Sequence, residues 1–122
     1  MAGSVTISYV GLDTVKYVQW SWTSDASGDV SGTDTKILSG VALRFAANPG
    51  STAPTDDYDI TILDDDSIDI AGGVLTNLDT STSEQVLTGG DAKDGAAFMG
   101  ALSLVVANAG NAKEGVLRMY YR

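Results

Sequence analysis

A chain of 122 residues fits one hydrophobic core, since single domains commonly run to about 100–150 residues, and leaves no room for a second complete domain. It carries 16 acidic against 7 basic residues, a net charge of −9, with no histidine and no cysteine. Those two absences exclude, within this chain, thiol nucleophiles, disulfides, imidazole bases and the His/Cys ligand sets of zinc, haem and iron–sulfur centres, and with them Ser-His-Asp and Cys-His mechanisms.

Residues 4–10 open the chain with Val5, Ile7 and Tyr9 alternating against Thr6 and Ser8, the period-two pattern of a half-buried strand, and Gly11-Leu12-Asp13 offers a turn. Residues 14–23 form a second strand with Val18, Trp20 and Trp22 on one face and Tyr17, Gln19 and Ser21 on the other. The two tryptophans are expected in the core, where aromatic side chains supply much of a small domain's buried area. Residues 24–34 read as a long polar loop, with neighbouring subunits, ions or nothing at all to order it. A third strand over 35–47 is interrupted near Gly40, as an isolated glycine in a strand often marks a bulge, and Pro49-Gly50 ends it.

Residues 57–63 alternate Tyr58, Ile60 and Ile62 against Asp59 and Thr61, and Asp64-Asp65-Asp66-Ser67 turns the chain into Ile68-Asp69-Ile70, the best hairpin candidate in the sequence. Gly72-Gly73 and an irregular polar stretch over 76–83 follow, then a short strand over 84–87, Gly89-Gly90 and one helical turn around 91–100. Two strands, 101–107 and 115–122, finish the domain on either side of a turn-forming loop at 108–114. Residues 95–112 carry no charge, but they are short for a membrane span and contain Ser103, Asn108 and Asn111, so no membrane association is expected. About eight short strands with little helix describe an all-β chain, an antiparallel β-sandwich with a jelly roll as one topology, as a single domain over 1–122 with residues 1–4 as an extended N-terminal arm.

Fourteen of the 16 acids are aspartate, a residue of turns and caps. The densest run, Asp56, Asp57, Asp59, Asp64, Asp65, Asp66 and Asp69, supplies oxygens of the kind calcium takes, yet it lacks the central glycine and terminal glutamate spacing of an EF-hand. A solvated strand face followed by a turn explains it better. No spacing singles out a carboxylate pair for glycoside hydrolysis or a Ser-Lys nucleophile, and the glycine pairs do not open a phosphate loop. No catalytic residue, metal site or cofactor is therefore expected. The seven bases (Lys16, Lys36, Arg44, Lys93, Lys113, Arg118, Arg122) lie scattered, against the clustering that nucleic-acid binding needs. Tyr120, Tyr121 and Arg122 sit in an apparent strand that is either internal or an edge open to another chain. Met1-Ala2-Gly3-Ser4 lacks the basic and apolar regions of a signal peptide.

The segments Pro49-Gly50-Ser51-Thr52-Ala53-Pro54-Thr55-Asp56-Asp57-Tyr58-Asp59-Ile60, Asn108-Ala109-Gly110-Asn111-Ala112-Lys113, Trp22-Thr23-Ser24-Asp25-Ala26-Ser27-Gly28 and Tyr120-Tyr121-Arg122 resemble small virion-associated structural proteins of tailed bacteriophages. The resemblance implies a non-enzymatic β-rich protein that folds in the host cytoplasm and assembles on the virion head surface. A capsid decoration or cement protein bridging capsomers is the leading expectation. Its partners would be the major capsid protein and further copies of itself, with a trimer favoured. Met1, Ala2, Gly3, Ser4, Tyr120, Tyr121 and Arg122 are the candidate assembly contacts. The alternatives are a neck, tail or fibre-associated module, separated from cement by copy number, and a carbohydrate or host-surface binding module, which needs Trp20, Trp22 and the tyrosines exposed together.

Overall fold

A computed structural model describes residues 3–12, 14–87 and 96–122. Among these, nine strands and no helix are found: β1 Ser4–Leu12, β2 Val15–Thr23, β3 Val30–Thr33, β4 Leu38–Pro49, β5 Asp59–Leu63, β6 Glu84–Leu87, β7 Ala96–Gly100, β8 Ser103–Ala107 and β9 Glu114–Tyr121. They form two antiparallel sheets. The larger runs β1-β2-β9-β4-β6, with β7 also on β4, and the smaller runs β3-β8-β5. Arg44 pairs with both Leu87 and Tyr120, and Ala42 with both Ala96 and Tyr121, so β6 and β7 lie end to end along the side of β4 away from β9.

Alternation sets the layers. Val18, Trp20 and Trp22 of β2 and Leu117, Met119 and Tyr121 of β9 face inward, against Ile60 and Ile62 of β5 and Leu104 and Val106 of β8. Trp22 meets Tyr58 at 5.8 Å between ring centroids, joining the layers. In β4 the inward set changes parity from Ala42 to Phe45 and Ala47. The pairing accounts for this: Ala42 opposes Tyr121 and Arg44 opposes Tyr120, so Leu43 is an extra residue, a β-bulge that keeps Phe45 in the core.

The irregularity expected near Gly40 thus falls three residues later. Gly40, at φ 154°, serves a different need: a side chain there would run into the Arg122 carbonyl, which accepts from Val41 N at 2.8 Å. The other differences from the sequence reading have local causes. Residues expected as a loop at 24–34 contain β3, because Val30 to Thr33 pair with β8. The stretch 96–100, expected as the end of a helical turn, is strand β7 on β4, and 91–95 lie outside the described residues.

The turn at 64–67 forms as expected, but its return leg is a single bridge, Leu63 to Asp69, instead of a strand. Asp69 Oδ1 accepts from Ile62 N at 3.0 Å, taking the place of a backbone partner, and its two oxygens also accept from Ala71 N and Gly73 N, which bends the chain away. Ile70, Ala71, Leu75 and Leu78 then bury themselves along the outer side of β5. The two antiparallel sheets, ordered β1-β2-β9-β4-β6 and β3-β8-β5, are the expected two-sheet sandwich.

Candidate functional site: the outer face of the large sheet

The residues alternating with the core set in β2, β9, β4 and β6 point away from it, and the register brings six of them together. Tyr17 opposes Tyr120, Tyr120 opposes Arg44, and Gln19 opposes Arg118. The rings of Tyr17 and Tyr120 lie 5.5 Å apart, tilted by 54°. The Arg118 guanidinium sits over Tyr17 at 4.6 Å and the Arg44 guanidinium over Tyr120 at 4.9 Å, within cation–π range. Each guanidinium is also held at Nε, Arg118 donating to Gln19 Oε1 at 2.7 Å and Arg44 to Gln85 Oε1 at 2.6 Å. A hydrogen bond with the Tyr120 side chain favours the charged form of Arg118 and raises its pKa further.

Two planar cations are thereby fixed on a flat aromatic base, and among the described residues neither makes an ion pair. The neighbouring outward rows on β1 and β2 carry Thr6, Ser8, Ser21 and Thr23. Among the described strands the only carboxylate on this face is Glu114, at the far end, where it accepts from Ser51 Oγ at 3.1 Å. In a chain with 16 acids, such a face is chemically distinct. Tyrosine, arginine and amide side chains held in fixed rotamers are the composition of interface hot spots, which they supply with contact area at little further loss of entropy.

The sequence-expected contacts divide. Met1 and Ala2 lie outside the described residues. Gly3 packs on Val30, and Ser4 is exposed at the start of β1. Tyr120 belongs to the outer face. Tyr121 points the other way, 5% exposed, with Phe98 edge-on at 5.5 Å. Arg122 is exposed just past β9. Because β9 lies between β2 and β4, its backbone has no open edge, so of the two alternatives it is the internal strand. Tyr17, Gln19, Arg44, Gln85 and Arg118 were not foreseen as a site. Alternation already put Tyr17 and Gln19 together, but only the three-strand register adds the arginines.

Trp20 and Trp22 are 0% and 2% exposed, so they offer no rings to a carbohydrate, and that reading loses its main support. Trp20 Nε1 donates at 2.7 Å to Oδ1 of Asp34, itself 4% exposed, while Asp34 Oδ2 has no hydrogen-bond partner among the described residues. Burial pushes this carboxyl up to about 6, and it adds to the burial that raises Tyr9 and Tyr121.

Four members of the acidic run, Asp56, Asp59, Asp64 and Asp69, accept from backbone N–H groups. Asp64 Oδ1 accepts from Asp66 N and Ile68 N, Asp59 from Asn77 N and from Asn108 Nδ2, and Asp56 from Thr80 N. No three carboxylates converge among the described residues. A shallow groove of about 510 Å³, lined by Gly3, Asp25, Asp29, Val30, Ser31 and Val105, holds no nucleophile–base pair; Asp25 Oδ1 caps Ser27 N and Asp29 N, and these bonds lower its pKa.

The loops quoted for the resemblance meet at one end of the sandwich. Buried Ser24 Oγ donates to Gly110 O and accepts from Lys113 N, Ala109 N donates to Gly28 O, and Thr55 N donates to Ala109 O. Residues 24–29, for which neighbouring subunits, ions or nothing at all were the alternatives, are thus bonded from within the chain. The chain matches no known protein-family model, no curated protein and no solved structure.

Proposed function

We propose that the protein is a non-enzymatic structural component of a tailed-phage virion, a decoration or cement protein attached to the head through the outer face of its large sheet. The observation that carries this reading is the array of Tyr17, Tyr120, Arg44 and Arg118, two stacked guanidiniums that have no acidic partner among the described residues, on a face whose described strands are poor in acid. Such a face suits a carboxylate-bearing protein surface, which Arg recognises through paired N–H donors. Repetition over a shell of capsid proteins would turn a modest contact into a firm one. The −9 charge elsewhere keeps the unassembled subunit soluble.

Particles lacking the protein, incubated with purified chain and sedimented, test this. Wild type is expected to co-sediment, and Arg44→Ala/Arg118→Ala to stay in the supernatant with its fold intact by circular dichroism. Co-sedimentation of the double variant at wild-type level would remove the face from the account. A neck or tail module would bind the same particles at a dozen copies or fewer, against hundreds for cement.

A further inference from the structure

Sheet edges are where β proteins recruit further chains, and they are normally blunted by brevity, charge, proline, bulges or a covering segment. Among the described strands most open edges here show such a device. β3 and β6 are four residues long, β6 starting with Glu84, and β7 is five. The outer side of β5 is covered by residues 69–78, with Ile60 N donating to Leu75 O at 2.8 Å and Ile70 N to Ile62 O at 2.8 Å.

β1 has none of them along its backbone, and a charge beside it, Lys36, lies over the Tyr9 ring at 4.6 Å. β1 is a nine-residue terminal strand, SVTISYVGL, without charge or proline, and its pairing with β2 runs from Ser4–Thr23 to Leu12–Val15 with no register shift. No backbone hydrogen bond joins its outer side to another described residue. β3 approaches it across the faces, where Gly32 lets Val5 come close.

We infer that this edge pairs with β1 of a second copy, antiparallel about a two-fold axis at Ser8, making one continuous sheet of the two large sheets. The strand is complementary to itself. Full overlap sets Ser8 against Ser8, Thr6 against Val10, and Ile7 against Tyr9 twice, an aromatic–β-branched pairing of the kind that stabilises ladders. Keeping Val5, Ile7 and Tyr9 on the core side of both copies requires an even register, and this one pairs all nine residues. A molecule of net charge −9 meets like charge in a copy wherever its aspartates lie, and this edge carries none. An isologous contact of this kind closes at two copies. It is independent of particle attachment, because the Tyr17–Tyr120 face lies on the flat of the sheet and stays free.

Analytical ultracentrifugation of the purified chain is expected to give twice the 12.6 kDa chain mass. Ser8→Lys, which sets two ammonium groups opposite each other, is expected to halve that mass while circular dichroism stays unchanged. The chain has no cysteine, so Ser8→Cys is a unique probe. Directly opposed Cα atoms lie about 4.5–5.5 Å apart, within disulfide reach. Mild oxidation should cross-link Ser8→Cys and leave the exposed turn variant Ala26→Cys uncross-linked. A monomeric wild type overturns the inference, as does any oligomer that survives Ser8→Lys and does not cross-link through Ser8→Cys.

Discussion

Asp34 is the residue at which burial and charge conflict most directly. Its folded pKa of about 6 lies above the ordinary 3.8, so the folded state binds the proton more tightly than the unfolded chain. Stability contributed by the neutral form is complete below pH 3.8 and is lost as pH rises through 6. The shift corresponds to about 2–3 kcal/mol. Asp34→Asn, neutral at every pH and able to keep the acceptor for Trp20, should raise stability at pH 8 by about 2 kcal/mol and change little at pH 4, as read by urea unfolding at both pH values. A wild-type stability that is flat across that range would contradict the assignment. Ser24 is the second such residue. Ser24→Ala leaves the Gly110 carbonyl and the Lys113 amide without their hydroxyl partner, at a cost of about 1–3 kcal/mol in the same assay, and an unchanged midpoint would mean that the loops are held otherwise. Neither residue stands out in the sequence: Asp34 and Ser24 read as loop polars because their partners, Trp20 and residues 110–113, lie 14 and 86–89 positions away.

At the scale of elements, alternation was enough to phase β2 and β5, since each buries one face and turns the other outward. It failed where a side chain or an extra residue replaced a regular backbone partner. Leu43 interrupts the period in β4, and only the facing register of β9 locates the bulge. Asp69 turned an expected hairpin into one bridge by accepting three backbone N–H groups. Asp69→Ala should therefore cost about 2 kcal/mol and raise hydrogen exchange at Ile62, Ala71 and Gly73 selectively, whereas uniform protection across residues 60–75 would show that the carboxylate is dispensable. The short strands β3 and β7 were hidden for a further reason: four or five residues of Val, Ser, Gly, Thr, Ala, Phe and Met carry too little periodicity to be told from loop or helix without their partners.

For the whole molecule, composition and alternation were sufficient for the all-β, antiparallel two-sheet class. The aspartates' role in turns was legible too, since residue type and spacing decide it locally. The outer-face array was only half legible, because it depends on which strands become neighbours: β2, β9 and β4 are far apart in sequence and adjacent in the sheet. Arg44 and Arg118 lie on the solvent side, so their joint replacement by alanine should shift unfolding free energy by no more than about 1 kcal/mol while abolishing particle attachment. Equal loss of both would mean that the face serves stability and not association. The most direct measurement is imaging of the intact particle at a resolution that places this chain and counts its copies. The account expects hundreds of copies on the head, with Tyr17, Tyr120, Arg44 and Arg118 turned toward the shell; a dozen copies or fewer at the neck or tail, or that face turned to solvent, would contradict it.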